Sequence, residues 1–468
     1  MAPGEQPDAV RTLLPSGGVP EYGVPADRLL TDTARLLFEH STFNGHPRFF
    51  GYITAPAAPL GVLGEMLAAA VNPNCGGWSL SPAATEIERQ AIRWIAELIG
   101  FPTTGAGLFV SGGNVANIVC FLAARAAKAR HDVRVEGVAP GAGHGPLVCY
   151  ASAECHTWIQ KACDITGLGT AALRWIPTDR RRRMRVDALG EQVVRDRGAG
   201  MTPFLVVGSA GTTSTGAIDP LRDLGAFCRE QELWYHIDGA YGAPAALVPG
   251  ASEDLRAIGE ADSVAVDPHK WLYAPLEAGC AIVRDPGALP DAFHYRPPYY
   301  HFDGTEEEQP VNFYEYGLQN SRGFRALKVW LTLRQVGRDG YRRMIADDIA
   351  LTRILFDAVA AHPELLAVTC ELSVATFAYV PPDMRERYES GDAAATRYVD
   401  ELNAALLLRT QEEGRLYLSN AVVDERFLVR ACIVNFRTTE ADARAVAELV
   451  VDAGRRTDAA MRARPAEG

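Results

Sequence analysis

Two stretches of the sequence indicate the fold most strongly: Asp267-Pro268-His269-Lys270-Trp271 and, upstream of it, Trp234-Tyr235-His236-Ile237-Asp238-Gly239-Ala240. Pyridoxal phosphate (PLP) chemistry requires a lysine and a carboxylate. Here the lysine stands beside a histidine, and the carboxylate lies at the end of an earlier strand. The lysine amine forms a Schiff base with the cofactor aldehyde. The aspartate keeps the pyridine nitrogen protonated, so that the ring can accept electrons. We therefore predict that Lys270 and Asp238 are catalytic and that PLP is the cofactor.

A glycine-rich turn lies where an apolar run meets a predicted helix. Val110-Ser111-Gly112-Gly113-Asn114 ends the run, and the helix is expected over 115–129. Small residues let backbone N–H groups approach a phosphate, and a helix N-terminus favours its negative charge. No Gly-Lys-Ser/Thr follows, so the Walker signature is absent. The turn therefore predicts a site for the phosphate of a tethered cofactor rather than for a nucleotide.

Two further polar residues follow predicted buried strands. His156 comes after the apolar run 147–150, and Thr212 comes after the run 204–208. Ligands of open α/β sheets bind outside the carboxyl ends of the strands. An imidazole at that edge can lie flat on a cofactor ring and contact a substrate carboxylate. We expect both residues to join the lysine and the aspartate there.

Short apolar runs alternate with helical stretches over most of the chain, which predicts an α/β domain with a mostly parallel sheet. After about residue 345 the pattern changes to helix, strands and a last helix, as in a small α+β domain. We divide the chain into an arm or dimerisation segment at residues 1–80, a large cofactor-binding domain at residues 81–345 and a small C-terminal domain at residues 346–468.

The composition argues against several kinds of partner. The 468-residue chain carries a formal net charge of −12, whereas nucleic acid and anionic membranes bind preferentially to basic patches. Nine cysteines occur without CxxC pairing or metal-ligand spacing, which argues against a metal site and indicates a reducing compartment. No apolar run reaches the length of a membrane span, and residues 1–20 lack the apolar core of a signal peptide. We expect a cytoplasmic protein that binds no nucleic acid, membrane or metal.

These motifs together resemble the group II PLP-dependent decarboxylases, the family of aromatic-L-amino-acid decarboxylase. A further segment, 321–330, resembles the family's Arg-Arg-Phe-Arg-x-Leu-Lys-x-Trp sequence, and the likeness extends over almost the whole chain. The resemblance implies the PLP-dependent transferase fold type I, with a mostly parallel seven-stranded sheet, an N-terminal arm and a small α+β domain. It also implies an obligate homodimer with composite active sites.

The resemblance assigns roles to individual residues. By this likeness His156 stacks on the cofactor, Asp238 pairs with the pyridine nitrogen and Lys270 is the Schiff-base lysine. The residues that would complete the cofactor site are Ser111, Gly112, Gly113, Asn114, Thr212, Ala240 and His269.

The arm would line the substrate pocket with Tyr52, Asn74, Gly76 and Trp78. The arm differs here from the aromatic decarboxylases, in which bulkier apolar residues stand near the positions of Asn74 and Gly76. Aromatic, branched aliphatic and polar substrates therefore all remain open at this point.

One position departs from the family. A loop tyrosine, in a Val-Asp-Tyr context, precedes the Arg-Phe-Arg segment in the relatives, and this chain reads Val311-Asn312-Phe313-Tyr314 there. In the family that hydroxyl protonates the carbanion left by CO2. In relatives with phenylalanine, the carbanion reacts with dioxygen to give an aldehyde. Tyr314 or Tyr316 could replace the missing hydroxyl.

We predict that the protein is an enzyme that α-decarboxylates an aromatic or related L-amino acid to the amine. Oxidative formation of an aldehyde is the alternative that Phe313 suggests. An aminotransferase is a further alternative, because it shares the fold. A non-enzymatic alternative is a catalytically silent protein that binds PLP. The intact set of His156, Asp238 and Lys270 argues against the silent protein.

Overall fold

The structure is a computed structural model that describes residues 5–138, 145–295 and 310–463. The chain separates into two compact units, one made of Met1–Thr54 with Ala350–Gly468 and the other of Ala55–Ile349. The predicted three-part division by role stays a prediction.

A seven-stranded sheet forms the centre of the larger unit. Its strands are β1 (Ala106–Val110), β2 (Leu147–Ser152), β3 (Leu173–Ile176), β4 (Thr202–Ser209), β5 (Trp234–Asp238), β6 (Ser263–Val266) and β7 (Gly279–Val283). The spatial order is β1-β7-β6-β5-β4-β2-β3. Neighbours from β6 through β3 pair in parallel, whereas β7 is antiparallel to both β6 and β1. The sheet is therefore mostly parallel, and the predicted fold class is confirmed.

Strands β2, β6 and β7 are buried on both faces, as expected when helices cover a mostly parallel sheet. This burial explains why the strands appear in the sequence as continuous apolar runs. The helices of this unit are α3 (Pro59–Val71), α4 (Pro82–Ile99), α5 (Gly113–Lys128), α6 (Val133–Glu136), α7 (Trp158–Ile165), α8 (Val186–Gly198), α9 (Leu221–Glu230), α10 (Glu253–Arg256) and α11 (Ala288–Phe293). Gly100 ends α4 in the left-handed conformation, with φ of 74°.

The smaller unit contains a four-stranded antiparallel sheet covered by helices. Its strands are β8 (Leu365–Glu371), β9 (Val374–Tyr379), β10 (Ser419–Val423) and β11 (Arg426–Cys432), in the order β10-β11-β9-β8. Its helices are α1 (Pro7–Thr12), α2 (Ala26–His40), α13 (Arg385–Glu389), α14 (Ala393–Glu413) and α15 (Glu440–Arg462). The helical segment α12 (Arg325–Ala360), which has a non-helical residue at Gly337, begins in the larger unit and ends in this one.

Two strands were not anticipated from the sequence. β3 has only four residues, and its two middle residues are not fully buried. In β10, buried and exposed residues alternate. Neither strand therefore has the continuous apolar run that marks the central strands. Among the described residues, no helix combines the length and the apolar character needed to cross a bilayer.

Candidate active site

Five loops meet at one edge of the seven-stranded sheet. They follow β1, β2, β4, β5 and β6, whose carboxyl ends share this edge because only β7 runs in the opposite direction. These loops and the element ends beside them carry the predicted site residues. Ser111, Gly112, His156, Thr212 and Lys270 lie on the loops, Asp238 ends β5, and Gly113 and Asn114 begin α5. The topology thus places at one edge the residues that lie far apart in the sequence.

Lys270 is held by a buried carboxylate. Its Nζ lies 2.9 Å from Oδ2 of Asp267, whose side chain is 2% exposed. The other oxygen of Asp267, Oδ1, has no hydrogen-bond partner among the described residues. The neighbouring His269 ring places Nδ1 2.7 Å from the Ala278 carbonyl oxygen, and burial lowers the pKa of His269. Asp267 belongs to the lysine motif, but no role for it was predicted from the sequence.

The residues that follow the lysine are anchored to α12. Both the Trp271 indole N–H, at 2.9 Å, and the Tyr273 hydroxyl, at 2.6 Å, donate to Oδ2 of Asp348. Burial and this carboxylate raise the pKa of Tyr273, so its hydroxyl keeps its proton and acts as a donor. The Trp271 ring also stacks on Tyr241 at 4.8 Å between centroids. Asp348 carries no local signal in the sequence, and only the fold brings it here.

Asp238 and His156 are both bonded to Trp158. The indole N–H of Trp158 donates to Oδ2 of Asp238 at 2.8 Å, and the backbone N–H of Ala240 donates to Oδ1 at 3.2 Å. The backbone N–H of Trp158 donates to Nδ1 of His156 at 3.2 Å. Although part of the His156 ring is exposed, desolvation lowers its pKa, so the ring is neutral at pH 7. Trp158 was not predicted from the sequence as a site residue.

The glycine turn packs tightly against the same residues. A methyl group added to Gly113 would lie 2.5 Å from Oδ2 of Asp267 and 3.2 Å from the Ala240 methyl carbon. Gly113 opens the 16-residue helix α5, so the free N–H groups of that helix begin beside the lysine pair. The arrangement fits PLP, since it offers a helix N-terminus for a phosphate, an amine for an aldehyde and a carboxylate for a ring nitrogen.

Thr212 lies at this edge with its hydroxyl engaged in its own turn. The Oγ1 atom is 3.0 Å from Oγ1 of Thr215 and accepts a hydrogen bond from the Ala217 N–H at 3.1 Å. These contacts fix the shape of the loop after β4. A contact between Thr212 and a phosphate stays a prediction.

The predicted pocket residues of the arm pack against residues 312–322. Oδ1 of Asn74 accepts hydrogen bonds from the N–H groups of Gly76, at 3.0 Å, and Arg322, at 3.2 Å. The Trp78 N–H donates to Oδ1 of Asn312, and the Tyr314 N–H donates to the Gly76 carbonyl, both at 3.0 Å. The structure therefore joins Asn74, Gly76 and Trp78 to the segment that carries Tyr314.

Phe313 is part of the same contact region. Its ring is 1% exposed and lies under the Arg322 guanidinium, 4.7 Å from the ring centroid. The Tyr316 ring packs edge-on against it at 5.8 Å. Tyr314, next in the chain, is only half-buried.

Tyr52, the remaining predicted pocket residue, belongs to the smaller unit. It adopts a positive φ of 54°, and its carbonyl accepts a hydrogen bond from Nη1 of the buried Arg430 at 2.9 Å. Its N–H donates to Oγ of Ser419 at 3.3 Å. These bonds fix the end of the arm segment within that unit.

Comparison with known proteins agrees with this geometry. The family described as "Pyridoxal-dependent decarboxylase conserved domain" matches residues 7–380. An aromatic-L-amino-acid decarboxylase of Bacillus atrophaeus is 34% identical over 433 residues, which cover 92% of this chain and 86% of the relative. A phenylacetaldehyde synthase of Petunia hybrida is 30% identical, covering 92% of this chain and 84% of the relative.

The fold also matches a solved structure. The crystal structure of Oryza sativa TDC with PLP and tryptamine superposes with a TM-score of 0.88 at 27% identity, covering 97% of this chain and 93% of that chain. The family model covers residues 7–380, and the two relatives and the solved structure cover 92% to 97% of the chain. The chain therefore belongs to the family of pyridoxal-dependent decarboxylases.

Proposed function

We propose that this PLP-dependent amino-acid decarboxylase converts an aromatic or related L-amino acid to its amine and CO2. The observation that carries the proposal is the meeting of three features at one sheet edge: the Lys270–Asp267 pair, the Asp238 carboxylate and the N-terminus of α5. When bound, PLP supplies an aldehyde that captures an amine and a ring that accepts the electron pair left by CO2.

Lys270 would hold the cofactor through its amine. An amine must lose its proton before it can act as a nucleophile. The Asp267 carboxylate, 2.9 Å from Nζ, can accept that proton without moving. Asp238 would stand opposite the ring nitrogen, where a carboxylate stabilises the protonated ring.

The remaining roles concern binding and orientation. The first N–H groups of α5, at Gly113 and Asn114, would bind the phosphate with Ser111 and Gly112 beside them. His156, neutral at pH 7, would pack on the ring and donate from Nε2, because its Nδ1 already accepts a hydrogen bond. Residues proposed to complete the cofactor site are Thr212, Ala240 and His269.

The arm residues Tyr52, Asn74, Gly76 and Trp78 are proposed to line the substrate pocket. A side chain at Gly76 would meet the Asn320 carbonyl oxygen, since a methyl group there would lie 2.1 Å from it. This backbone therefore excludes a large apolar residue at that position. The relatives' names support an aromatic substrate, and the absence of a side chain at Gly76 leaves a related, differently shaped side chain open.

The test is CO2 release from each carboxyl-labelled L-amino acid, with amine, aldehyde and peroxide measured in the same samples. We expect stoichiometric amine and CO2 from one or a few substrates, and no turnover in Lys270→Ala. Lys161→Ala, which removes an exposed lysine of α7, is the matched control. Accumulation of aminated cofactor without CO2 would identify an aminotransferase, and no substrate-dependent change at all would identify a silent PLP-binding protein.

A second candidate function rests on Phe313. Here the amino acid, O2 and water would give the aldehyde, CO2, ammonia and hydrogen peroxide. The phenyl ring has no proton to donate, and one relative is a phenylacetaldehyde synthase. Phe313→Tyr would then raise the ratio of amine to aldehyde. If Tyr314 donates the proton in the wild type, Tyr314→Phe would instead shift the product from amine to aldehyde.

We also infer a homodimer from the exposed apolar face of α3. Val62, Leu63, Met66, Leu67 and Val71 are each between 50% and 66% exposed. Residues at this spacing lie along one side of a helix, and a patch of this kind marks an interface. A second copy of the chain is the proposed occupant. Light scattering should give a dimer for the wild type and a monomer for Leu63→Asp/Met66→Asp, whereas Val194→Asp, at a lone exposed valine of α8, should stay dimeric.

We propose a cytoplasmic location from the cysteines. All nine are free thiols and eight of them are buried. Free, buried thiols are typical of a reducing compartment. Cell fractionation with a cytoplasmic marker enzyme tests the location, and recovery with the extracellular fraction would contradict it.

A further inference from the structure

We propose that Trp158 is a positioning residue that sets the orientation of both Asp238 and His156 at the cofactor site. The inference rests on the proposed function, because it concerns how these two residues meet PLP. Trp158 is the first residue of α7 and stands two positions after His156, where the loop that follows β2 ends. Its indole N–H reaches the end of β5, where Asp238 stands.

One residue makes both hydrogen bonds. The Trp158 side chain donates to Oδ2 of Asp238 at 2.8 Å, and its backbone N–H donates to Nδ1 of His156 at 3.2 Å. With Oδ1 of Asp238 bonded to the Ala240 N–H at 3.2 Å, the carboxylate plane is fixed from two sides. With Nδ1 of His156 as an acceptor, the proton of the neutral ring sits on Nε2.

The indole itself has little freedom to move. Trp158 is 1% exposed, and its ring packs edge-on against Phe121 at 6.5 Å and against His236 at 5.7 Å between centroids. His236 is in turn fixed, since its Nε2 lies 2.7 Å from Oδ1 of Asn117. This packing holds the indole N–H in the direction of Asp238.

A fixed donor matters because a carboxylate can rotate. The pyridine ring accepts electrons better when its nitrogen is protonated, and a carboxylate oxygen that faces the N–H along a lone pair stabilises that form. A hydrogen bond from a neutral donor holds this orientation without neutralising the charge, and the low dielectric of the interior strengthens it. Losing the indole donor would leave the Asp238 carboxylate held only by the Ala240 N–H. The loss would therefore change how Asp238 faces the cofactor ring more than it would change the fold.

The test compares Trp158→Phe with Trp234→Phe in the holoenzyme. Trp234 is also buried, and its indole N–H also donates one hydrogen bond, to Oγ of Ser263 at 2.8 Å. Both variants therefore lose one buried indole hydrogen bond, and only the first loses the bond to Asp238. The readouts are the 15N chemical shift of the pyridine nitrogen in bound, labelled PLP, the visible absorption band of the bound cofactor, and kcat and KM.

We expect Trp158→Phe to move the nitrogen shift towards the unprotonated value and to lower kcat about 10-fold with little change in KM. Groups that orient a catalytic ligand contribute about 10–100-fold in the related case of metal sites. Trp234→Phe should keep the wild-type nitrogen shift and stay within about twofold in kcat. If both variants show the same nitrogen shift and the same kcat, the positioning role is wrong.

Two controls keep the outcomes separate. If Trp158→Phe does not fold, the isosteric benzothienylalanine, which replaces the N–H by sulfur, is introduced at position 158 and the same comparison is made. If the wild-type protein itself binds no PLP, the proposed function fails. If the wild type is active and only the comparison of variants is negative, the inference alone fails.

Discussion

Removing one member of the buried ion pair between Glu88 and Arg322 should destabilise the larger unit more than removing both members. Both side chains are almost completely excluded from water. The Arg322 guanidinium also donates to the carbonyls of Cys75, at 3.1 Å, and Phe109, at 2.7 Å, and Glu88 accepts from the Phe109 N–H at 2.8 Å. The pair thus joins α4, the end of β1 and the residues before α12.

The expected magnitude follows from these contacts. Leaving one partner of a buried pair uncompensated costs about 3–5 kcal/mol. In Glu88→Gln the guanidinium keeps its two carbonyl acceptors, so we expect the lower end, about 3 kcal/mol. Glu88→Gln/Arg322→Met removes the isolated charge and packs an apolar chain on Phe313. The double variant should therefore recover about 1–2 kcal/mol relative to Glu88→Gln alone.

Hydrogen exchange measured by mass spectrometry on peptides from α4 and β1 reports this stability locally, without assuming that the whole chain unfolds in one step. Glu97→Gln is the control, because Glu97 lies on the same helix and forms an exposed pair with Arg338. That change should cost less than about 1 kcal/mol. Additive costs in the double variant would show that the two charges are not coupled and would refute the reasoning.

Three further predictions concern the sheet edge and its support. Purified protein should be yellow, and Lys270→Ala should lose the absorption band; borohydride reduction followed by peptide mapping tests this, and a label on another lysine contradicts it. Gly113→Ala should weaken PLP binding, because the added methyl group would lie 2.5 Å from Oδ2 of Asp267. Titration of PLP into the apo-protein measures the loss of affinity, and Gly198→Ala, where the added methyl group meets no atom within 4 Å, is the control. Equal PLP affinities in the two variants would count against close packing at Gly113. Burial lowers the pKa of His236 to about 4, so between about pH 6.5 and pH 4 the unfolded chain binds a proton that the folded chain does not. Stability should therefore decrease as the pH is lowered from about 6.5 to 4, by up to about 3 kcal/mol from this residue. Equal slopes of stability against pH in wild type and His236→Asn would contradict the assignment.

Much of the fold and of the site could be predicted because the relevant signals are local. Continuous apolar runs mark strands buried on both faces, as at β2, β5 and β6, and turn residues mark their ends. Once those strands are parallel, the residues after them share an edge, whatever their separation in the sequence. For the same reason Lys270, Asp238 and the glycine turn at Gly113 could be assigned to one place. The same motif residues were enough to predict membership of the PLP-dependent decarboxylase family, which the comparison with known proteins confirmed.

Tertiary structure alone decided which residues support that edge. Trp158 reaches Asp238 across 80 positions, Trp271 reaches Asp348 across 77, and Arg322 reaches Glu88 across 234. Such bonds have no periodicity and no fixed spacing, because they depend on where the folded backbone brings two side chains. The same holds for Gly76, whose missing side chain is explained only by a carbonyl oxygen from residue 320. Local sequence was enough to predict the central strands, the helix N-terminus and the candidate reactive groups, whereas the packing of distant segments determines how those groups are held.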